Sequence, residues 1–448
     1  MRYSPYPSYK PSRLPWLAEI PNEWGIHRLK WSVTGCDNGV WGEEPDGGED
    51  DIICLRVADF DRNSLRVSTS SLTVRSVDAR QRGSRKINKH DLLLEKSGGG
   101  EKQLVGCVVH FDHDFDAVCS NFVARMVVAA GLSPRFWSYV HAALYAGKLN
   151  YLAIKQTTGI QNLDSGEYLN TLVAYPSEVE QVQIAAFLDW KTGQIDALIA
   201  KKQALIEKLK EKRLAVITQA VTKGLDPSSA VRDPDIPWLD QVPEHWQVMK
   251  FGYRTHIEEG QVDPEFEPFS QMILIAPNHI ESNTGLVFGL ATAHEQGAIS
   301  GKYLVRNGDV VYSKIRPHLN KCALSDFDGI CSADMYPIRT EPPLRPDFLR
   351  YWMLAQPFLD YATVSSMRVA MPKLNRETLN AAPLLVPPAP EQEKIVEFLD
   401  STTKRIDGFL EKTDLAISYL TEYRTALITA ATTGKIDVRG WQAGKEGA

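Results

Sequence analysis

A glycine-rich loop flanked by lysines is the first segment whose residue types suggest a binding chemistry. Residues 96–102 place three consecutive glycines between Lys96 and Lys102. Glycines let backbone amides approach a phosphate closely, and the lysines supply positive charge. The spacing does not match a nucleotide-binding P-loop. We predict an anion-binding loop, although a flexible hairpin with solvated lysines fits the same sequence.

A comparable segment, residues 313–321, follows a predicted strand in the second half of the sequence. It brings three cations and one amide within reach of one another, namely Lys314, Arg316, Lys321 and Asn320. Such side chains can bind a phosphate or a base edge. A solvated turn is the alternative interpretation.

Two further polar loops precede the long helical segments discussed below. Residues 156–162 include Gln161 and Asn162, whose amides could pair with adenine edges. Residues 367–373 include Arg368 and Lys373, which could bind guanine or phosphate. Because asparagine and glutamine are also common turn formers, base contact is one of two open interpretations.

Charge is segregated along the chain, whose formal net charge at pH 7 is −6. An acidic total argues weakly against nucleic-acid binding. Between residues 56 and 102, however, eleven basic residues outnumber six acidic ones, whereas acidic side chains cluster at residues 43–51. We therefore predict a basic surface patch that includes Arg82, Arg85 and Lys86.

No motif for catalysis or cofactor binding stands out in the sequence. It has no P-loop, no glycine-rich cofactor loop after a strand, no methylase Asn/Asp-Pro-Pro-aromatic tetrapeptide and no nuclease carboxylate–lysine cluster. The six cysteines lie far apart, which favours free thiols over zinc binding. His110, Asp112 and His113 could be metal ligands, but a polar turn explains them better. We expect no catalytic residues, metal or cofactor in this chain.

The hydropathy pattern predicts a cytoplasmic protein. No apolar stretch reaches the ~18 residues of a membrane span, and the Tyr/Pro-rich start does not resemble a signal peptide. Length and composition are those of a soluble globular protein with two or three domains.

The sequence contains an internal repeat, which indicates how these loops are positioned. Two tryptophans eight residues apart, Trp16 and Trp24, recur as Trp238 and Trp246 at an offset of 222. A second match begins at Pro176 and Pro387 and keeps an offset of 211 through Glu-Gln, Ile, Phe-Leu-Asp and Ile-Asp pairs. Between these similar ends the two halves diverge strongly.

Each matching end continues into one predicted long amphipathic helix, over residues 178–222 and 391–433. Apolar residues recur there at three-and-four spacings, and the first segment contains no proline. The apolar stripes are interrupted at Lys202 and Thr413 and at Arg213 and Arg424. We predict that the two helices pack together in antiparallel orientation within one chain; a dimerisation coiled coil is the alternative.

The predicted fold is α+β, with two mixed α/β domains separated by two long antiparallel helices in a pseudo-twofold repeat. The boundaries are residues 1–175 for the first domain, 176–224 for its helix, 225–386 for the second domain, 387–433 for its helix and 434–448 for a tail. Predicted strands include residues 51–57 and 105–110 in the first domain and residues 272–275, 308–312 and 381–386 in the second.

Over nearly its whole length the sequence resembles the specificity subunits of type I restriction-modification systems. Three features carry the resemblance: the Pro-Trp-Leu…Trp start of each half, the helix starts after Pro176 and Pro387, and the repeated order of domain and helix. One departure is Val179, whose counterpart in the second half is Pro390.

The resemblance implies a non-catalytic protein that reads a bipartite double-stranded DNA site with two target-recognition domains. It implies two modification subunits, adenine-N6 methyltransferases that use S-adenosylmethionine, as partners. Restriction-translocation subunits that use ATP and magnesium would join them. A coiled-coil scaffold or dimerisation protein without DNA specificity is the main alternative, and a stand-alone nuclease or methylase is the other.

Overall fold

The chain folds into two compact units in the computed structural model, which describes residues 3–83, 85–100, 103–157, 159–366 and 372–443. Unit 1 contains Met1–Lys202 and Leu415–Ala448, and unit 2 contains Gln203–Asp414. Both boundaries fall inside long helices. Each unit therefore combines one mixed α/β domain with parts of both helices.

Unit 1 is built on a six-stranded sheet with the order β4-β13-β9-β11-β7-β6. A three-stranded sheet has the order β12-β5-β8, and another has the order β10-β15-β14. The strands are β1 (Tyr9–Leu14), β2 (Leu17–Pro21), β3 (Gly25–Arg28), β4 (Val33–Asn38), β5 (Asp51–Leu55), β6 (Phe60–Asp61), β7 (Arg66–Val67), β8 (Thr73–Ser76), β9 (Leu92–Glu95), β10 (Ser97–Gly98), β11 (Val108–His110), β12 (Ala117–Cys119), β13 (Val123–Val128), β14 (Ile154–Thr157), β15 (Ile160–Leu163) and β16 (Leu172–Tyr175).

The helices of unit 1 are α1 (Ala79–Gly83), α2 (Pro134–Ala146), α3 (Ser165–Leu169) and the first part of the long helix α4 (Glu178–Lys223). Helix α2 begins where Ser133 caps it by accepting from the Phe136 amide, with Pro134 at the first helical position. It buries Phe136 and Tyr139 completely, so this face of α2 belongs to the main core of the unit.

Unit 2 contains a five-stranded sheet, β21-β24-β27-β22-β23, and a four-stranded sheet, β20-β28-β25-β26. Its helices are the end of α4, then α5 (Pro346–Leu354), α6 (Gln356–Ser366), α7 (Arg376–Ala381) and the start of the long helix α8 (Ala389–Thr432). Its strands are β17 (Val231–Arg232), β18 (Val242–Pro243), β19 (Gln247–Lys250), β20 (Thr255–Ile257), β21 (Gln261–Val262), β22 (Ile273–Ile275), β23 (Ala291–Thr292), β24 (Lys302–Val305), β25 (Val310–Ser313), β26 (Cys322–Leu324), β27 (Gly329–Ser332), β28 (Met335–Thr340) and β29 (Pro383–Val386).

Within each unit the segments of α4 and α8 run antiparallel. In unit 1, Arg424 of α8 binds Asp196 of α4 at 2.9 Å, and Gln183 near the start of α4 donates to the carbonyl of Trp441. In unit 2, Arg213 of α4 binds Asp407 of α8 at 2.9 Å. The two arginines that interrupt the apolar stripes are therefore buried ion-pair partners of the opposite helix.

The repeated Glu-Gln pair anchors the start of each long helix to its domain. Gln181 is fully buried, accepts from the Ser133 amide and donates to the carbonyl of Pro176. Gln392 is also fully buried, accepts from the Arg345 amide and donates to the carbonyl of Pro387. Each glutamine thus joins the first turn of a domain helix to the first turn of a long helix.

The segment after α8 packs against the beginning of the chain inside unit 1. Gly434 adopts φ +73°, and a Cβ there would clash with the ring of Pro21. The Trp441 ring lies 5.5 Å from that of Phe187 and 5.4 Å from that of Trp190, measured between centroids. This segment therefore packs on unit 1, with Val438 in the core and Ile436 and Trp441 partly buried against it.

In the part of the chain that the structure covers, none of the helices combines the length and the apolar character needed to cross a bilayer. The apolar face of each long helix instead contributes to the cores of the units.

Candidate nucleic-acid interface

The structure joins the two predicted loops of unit 1 into one surface. Strand β10 of the glycine loop pairs with β15 of the second loop, so that Ser97 faces Asn162 and Gly98 faces Gln161. The Ser97 hydroxyl donates to the Asn162 side-chain oxygen at 2.6 Å, and the Leu163 amide donates to the carbonyl of Lys96 at 2.7 Å.

Gln161 and Asn162 have different surroundings although they are neighbours in sequence. Gln161 is buried; its side-chain oxygen accepts from the Val105 amide at 3.2 Å, and its NH₂ group donates to the carbonyl of Gly100 at 3.3 Å. Its amide is therefore occupied in supporting the glycine loop. Asn162 is exposed and presents its side chain on the surface.

Unit 2 joins its two predicted loops through an equivalent junction. The Leu374 amide donates to the carbonyl of Lys314 at 2.8 Å, and the Arg316 amide donates to the carbonyl of Pro372 at 3.0 Å. Ile315 and Lys373 form an isolated β-bridge. Arg316 and Lys373 are both exposed, so two cations lie at the surface of this junction.

Lys314 lies beneath this surface between aromatic rings. Its ammonium is 5.1 Å from the ring centroid of Tyr336 and 5.7 Å from that of Tyr303, and the guanidinium of Arg376 packs over the same rings. Burial lowers the pKa of Lys314 below its ordinary value. Sequence reasoning missed Arg376, Tyr303 and Tyr336, because no local spacing signals that they meet.

The remaining predicted residues of this segment are held by backbone carbonyls. Asn320 is buried and donates to the carbonyl of Leu354 at 3.3 Å, while the Lys321 ammonium donates to the carbonyl of Pro277 at 2.5 Å. Both side chains thus fix the loop that carries Arg316.

The predicted basic patch of unit 1 meets the glycine loop at one asparagine. Lys96 donates to the Asn38 side-chain oxygen at 2.5 Å, and Arg85 donates to the Asn38 carbonyl at 3.2 Å. The structure therefore brings the Arg85 segment beside the loop that begins at Lys96.

Two other cations of the patch are paired with acids. Arg82 binds Asp50 at 2.7 Å, and Lys86 binds Asp116 at 2.8 Å. These carboxylates reduce the local positive charge. Lys102 and Arg368, which were also predicted to bind DNA, lie outside the described residues.

No group of three or more histidine, cysteine, aspartate or glutamate side chains in the described residues could hold a metal ion. His110 is buried, and a 3.3 Å contact joins its Nε2 to Nδ1 of His90. Burial lowers the pKa of His110 to about 3, which keeps the ring neutral. His113 contacts the carbonyl of Val67 at 3.0 Å. All six cysteines are free thiols.

Comparisons with known proteins agree with this architecture. The family model described as "Type I restriction modification DNA specificity domain" matches residues 243–415. The specificity subunit of the type I restriction enzyme EcoDI from Escherichia coli is 32% identical over 302 residues, which cover 63% of this chain and 66% of that protein. The chain belongs to the family of type I restriction-modification specificity subunits.

A second specificity subunit, that of EcoKI from Escherichia coli strain K12, is 21% identical over 80% of this chain and 77% of that protein. Specificity subunits are non-catalytic recognition subunits, so membership of the family assigns no enzymatic activity to this chain.

Solved structures share the fold. A chain solved in work on complex assembly and conformational transition of the type I R-M system has a TM-score of 0.70 at 14% identity, covering 93% of this chain and 99% of that one. The HsdS subunit from Thermoanaerobacter tengcongensis has a TM-score of 0.51 at 14% identity, covering 93% and 98%. The prediction of two mixed α/β domains combined with long helices is confirmed.

Proposed function

We propose that this chain reads a bipartite double-stranded DNA sequence, with one part of the site recognised by each unit. The observation that carries the proposal is the repeated loop junction. Leu163 bonds to the carbonyl of Lys96, and Leu374 bonds in the same way to that of Lys314, but the exposed side chains around the two junctions differ. A shared backbone arrangement that carries different exposed side chains suits the recognition of two different half-sites.

The two junctions offer different chemistry for base contacts. Asn162 in unit 1 presents an amide, which suits the adenine edge in the major groove. Arg316 and Lys373 in unit 2 present cations, which suit guanine or the phosphate backbone. We therefore expect unit 1 and unit 2 to differ in base preference.

The proposal includes catalytic partners. Two modification subunits that use S-adenosylmethionine would dock on the long helices, and restriction-translocation subunits that use ATP and magnesium would join them. Exposed apolar side chains at equivalent positions of the two helices, Leu198 of α4 and Phe409 of α8, support docking there. The modification subunits would take the target adenines out of the base stack, because chemistry on a base requires access to it.

Co-expression with the genetically neighbouring methyltransferase, followed by genome-wide mapping of methylated adenines, tests the proposal. We expect a single bipartite motif. Replacing Asn162 by Ala should relax one half of the motif and replacing Arg316 by Ala the other half, because the two residues lie in different units. Leu152→Ala, a change at an exposed position outside both junctions, is the control. A stable complex that methylates nothing would favour a scaffold.

A further inference from the structure

A cavity of about 920 Å³ lies within unit 1 and is lined in part by the glycine loop. The other lining residues include Trp41, Arg56, Glu95, Asn121 and Phe122. Its volume is within the range of pockets that hold small organic ligands, and it combines aromatic walls with a few polar groups. None of Trp41, Glu95 and Phe122 was among the residues predicted to bind DNA.

Glu95 places a buried carboxylate at this cavity. Its side chain is only 1% exposed, and its Oε2 accepts from Arg62 Nη2 at 2.8 Å and from the Cys107 amide at 3.3 Å. Among the described residues, no donor bonds to Oε1. This oxygen lies next to the glycine loop, 3.6 Å from where a Cβ atom would be if residue 98 had a side chain. Burial raises the pKa of Glu95, although the charge of Arg62 opposes that effect.

Two large aromatic side chains line the cavity and remain accessible. Trp41 is 38% exposed and Phe122 is 44% exposed. The carbonyl of Phe122 accepts from the amides of Lys96 and Ser97, which holds this residue against the base of the glycine loop. Aromatic faces of this kind stack well on nucleobases, whatever the sequence.

At the three glycines the wall of the cavity consists of backbone, whereas side chains form the rest of it. Gly98 adopts φ +132° and Gly99 φ +65°. A Cβ on Gly99 would lie 2.8 Å from the carbonyl oxygen of Gln103. A side chain at this position would strain the loop and alter the wall of the cavity.

We propose that this cavity binds a nucleobase with an exocyclic amino group, cytosine or adenine, which leaves the stack of the half-site read by unit 1. The amino group donates to Glu95 Oε1, and the ring stacks against Phe122 or Trp41. The base must come to the carboxylate, because a side chain as buried as Glu95 cannot reach into a DNA groove. This inference rests on the proposed function.

The test uses the full chain and duplexes that carry the motif found by methylation mapping, with affinity measured by fluorescence anisotropy. At each position of the half-site read by unit 1, the opposite base is changed so that the candidate base is mismatched. A base that must leave the stack is easier to extract from a mismatch, so one position should bind about tenfold tighter. Replacing the amino group of that base by a carbonyl should abolish the gain.

Two substitutions test whether the tighter binding of the mismatched duplex, called the gain above, depends on the cavity. Phe122→Ala should remove most of it, whereas Phe288→Ala, at a 55% exposed phenylalanine in unit 2, should keep it. Glu95→Gln retains an oxygen for Arg62 and should remove the preference for an amino group.

Three outcomes would contradict the cavity proposal. If the duplex is bound specifically but no mismatch strengthens binding, the cavity proposal is overturned and the proposed function stands. Absence of specific binding overturns both proposals. Tight binding of free cytidine or adenosine monophosphate without a mismatch effect overturns the cavity proposal alone.

Discussion

Each long helix carries one arginine within its apolar stripe. A charged side chain is stable in such a position only when it has an acidic partner. Arg213 binds both carboxylate oxygens of Asp407 and the carbonyls of Asn283 and Thr284, and it is almost fully buried. Arg424 bonds to one carboxylate oxygen of Asp196 and to the carbonyl of Asn63. Because a carboxylate of the opposite helix and at least one domain carbonyl bond to each guanidinium, these arginines tie each domain to both helices.

Replacing Arg213 by Leu should destabilise unit 2 by about 3–5 kcal/mol, because it leaves Asp407 without its partner in a partly buried site. Urea unfolding of the variant measures this change. Lys210→Ala is the matched control, since its ion pair with Glu207 is exposed and contributes about 0.5 kcal/mol or less. The double variant R213L/D407L should recover much of the loss; no recovery would contradict a role for the ion pair.

Two buried histidines make the stability of unit 1 depend on pH. Burial lowers the pKa of His110 and that of His141 to about 3. In the unfolded chain each ring binds a proton near pH 6.5, so the unfolded state takes up more protons below that pH. The stabilising contribution is present above pH 6.5 and is lost as the pH falls towards 3.

At pH 5 we expect unit 1 to lose about 2 kcal/mol for each of these histidines relative to pH 7. Unfolding of wild type and His141→Gln at both pH values tests this. The variant should show a smaller loss between pH 7 and pH 5. Equal losses in the two proteins would mean that His141 does not remain neutral in the folded state.

At the scale of elements, the segment after α8 acts as a structural part of unit 1. Gly434, Asp437, Arg439 and Trp441 all contact the first part of the chain or the start of α4. The Arg439 guanidinium also packs 4.8 Å from the ring centroid of Tyr6.

Replacing Trp441 by Ala should destabilise unit 1 by about 1–3 kcal/mol through lost aromatic packing, and should leave unit 2 unchanged. Hydrogen exchange, followed separately for peptides of each unit, measures the effect. Trp31→Ala at a highly exposed tryptophan is the control and should change little. Equal loss of protection in both units would contradict this assignment.

The long helices could be predicted closely from the sequence because their determinants are local. Residues 178–222 and 391–433 were expected, and α4 and α8 span Glu178–Lys223 and Ala389–Thr432. Predicted strands at residues 51–57 and 308–312 correspond to β5 and β25. The sheet orders were not predictable, because pairs such as β5 with β12 join distant segments.

The site was less predictable because the role of a polar residue depends on burial. Gln161 and Asn162 are neighbours with similar chemistry, yet one supports the glycine loop from the interior and the other lies on the surface. The arginines of the long helices presented the same difficulty, since their acidic partners lie about two hundred residues away. No local spacing separates these cases.

At the scale of the whole molecule, the unit boundary falls inside both helices, close to Lys202 and Asp414. Inserting seven residues at each boundary would lengthen both helices without removing an ion pair within either unit. Seven helical residues add about 10 Å, equivalent to roughly three base pairs of DNA.

If the helices set the distance between half-sites, the unread spacer in the methylation motif should lengthen by about three base pairs while both half-sites stay the same. The control inserts the same residues into α4 alone, which should disrupt the match between the helices and reduce methylation. An unchanged spacer in the doubly lengthened protein would exclude this role of the helices.

The division of the chain between the units also has a consequence for synthesis on the ribosome. Unit 2 is one continuous segment, Gln203–Asp414, whereas unit 1 needs both Met1–Lys202 and Leu415–Ala448. The domain that is translated first is thus completed last, after its counterpart can already have folded. Protease treatment of ribosome-arrested chains should find unit 2 resistant while residues 1–202 are still cleaved; early resistance of residues 1–202 would contradict this order. Until the C-terminal residues emerge, the nascent chain exposes the apolar surface around Trp24 and Phe187 that they later cover, and it is then most dependent on protection from aggregation.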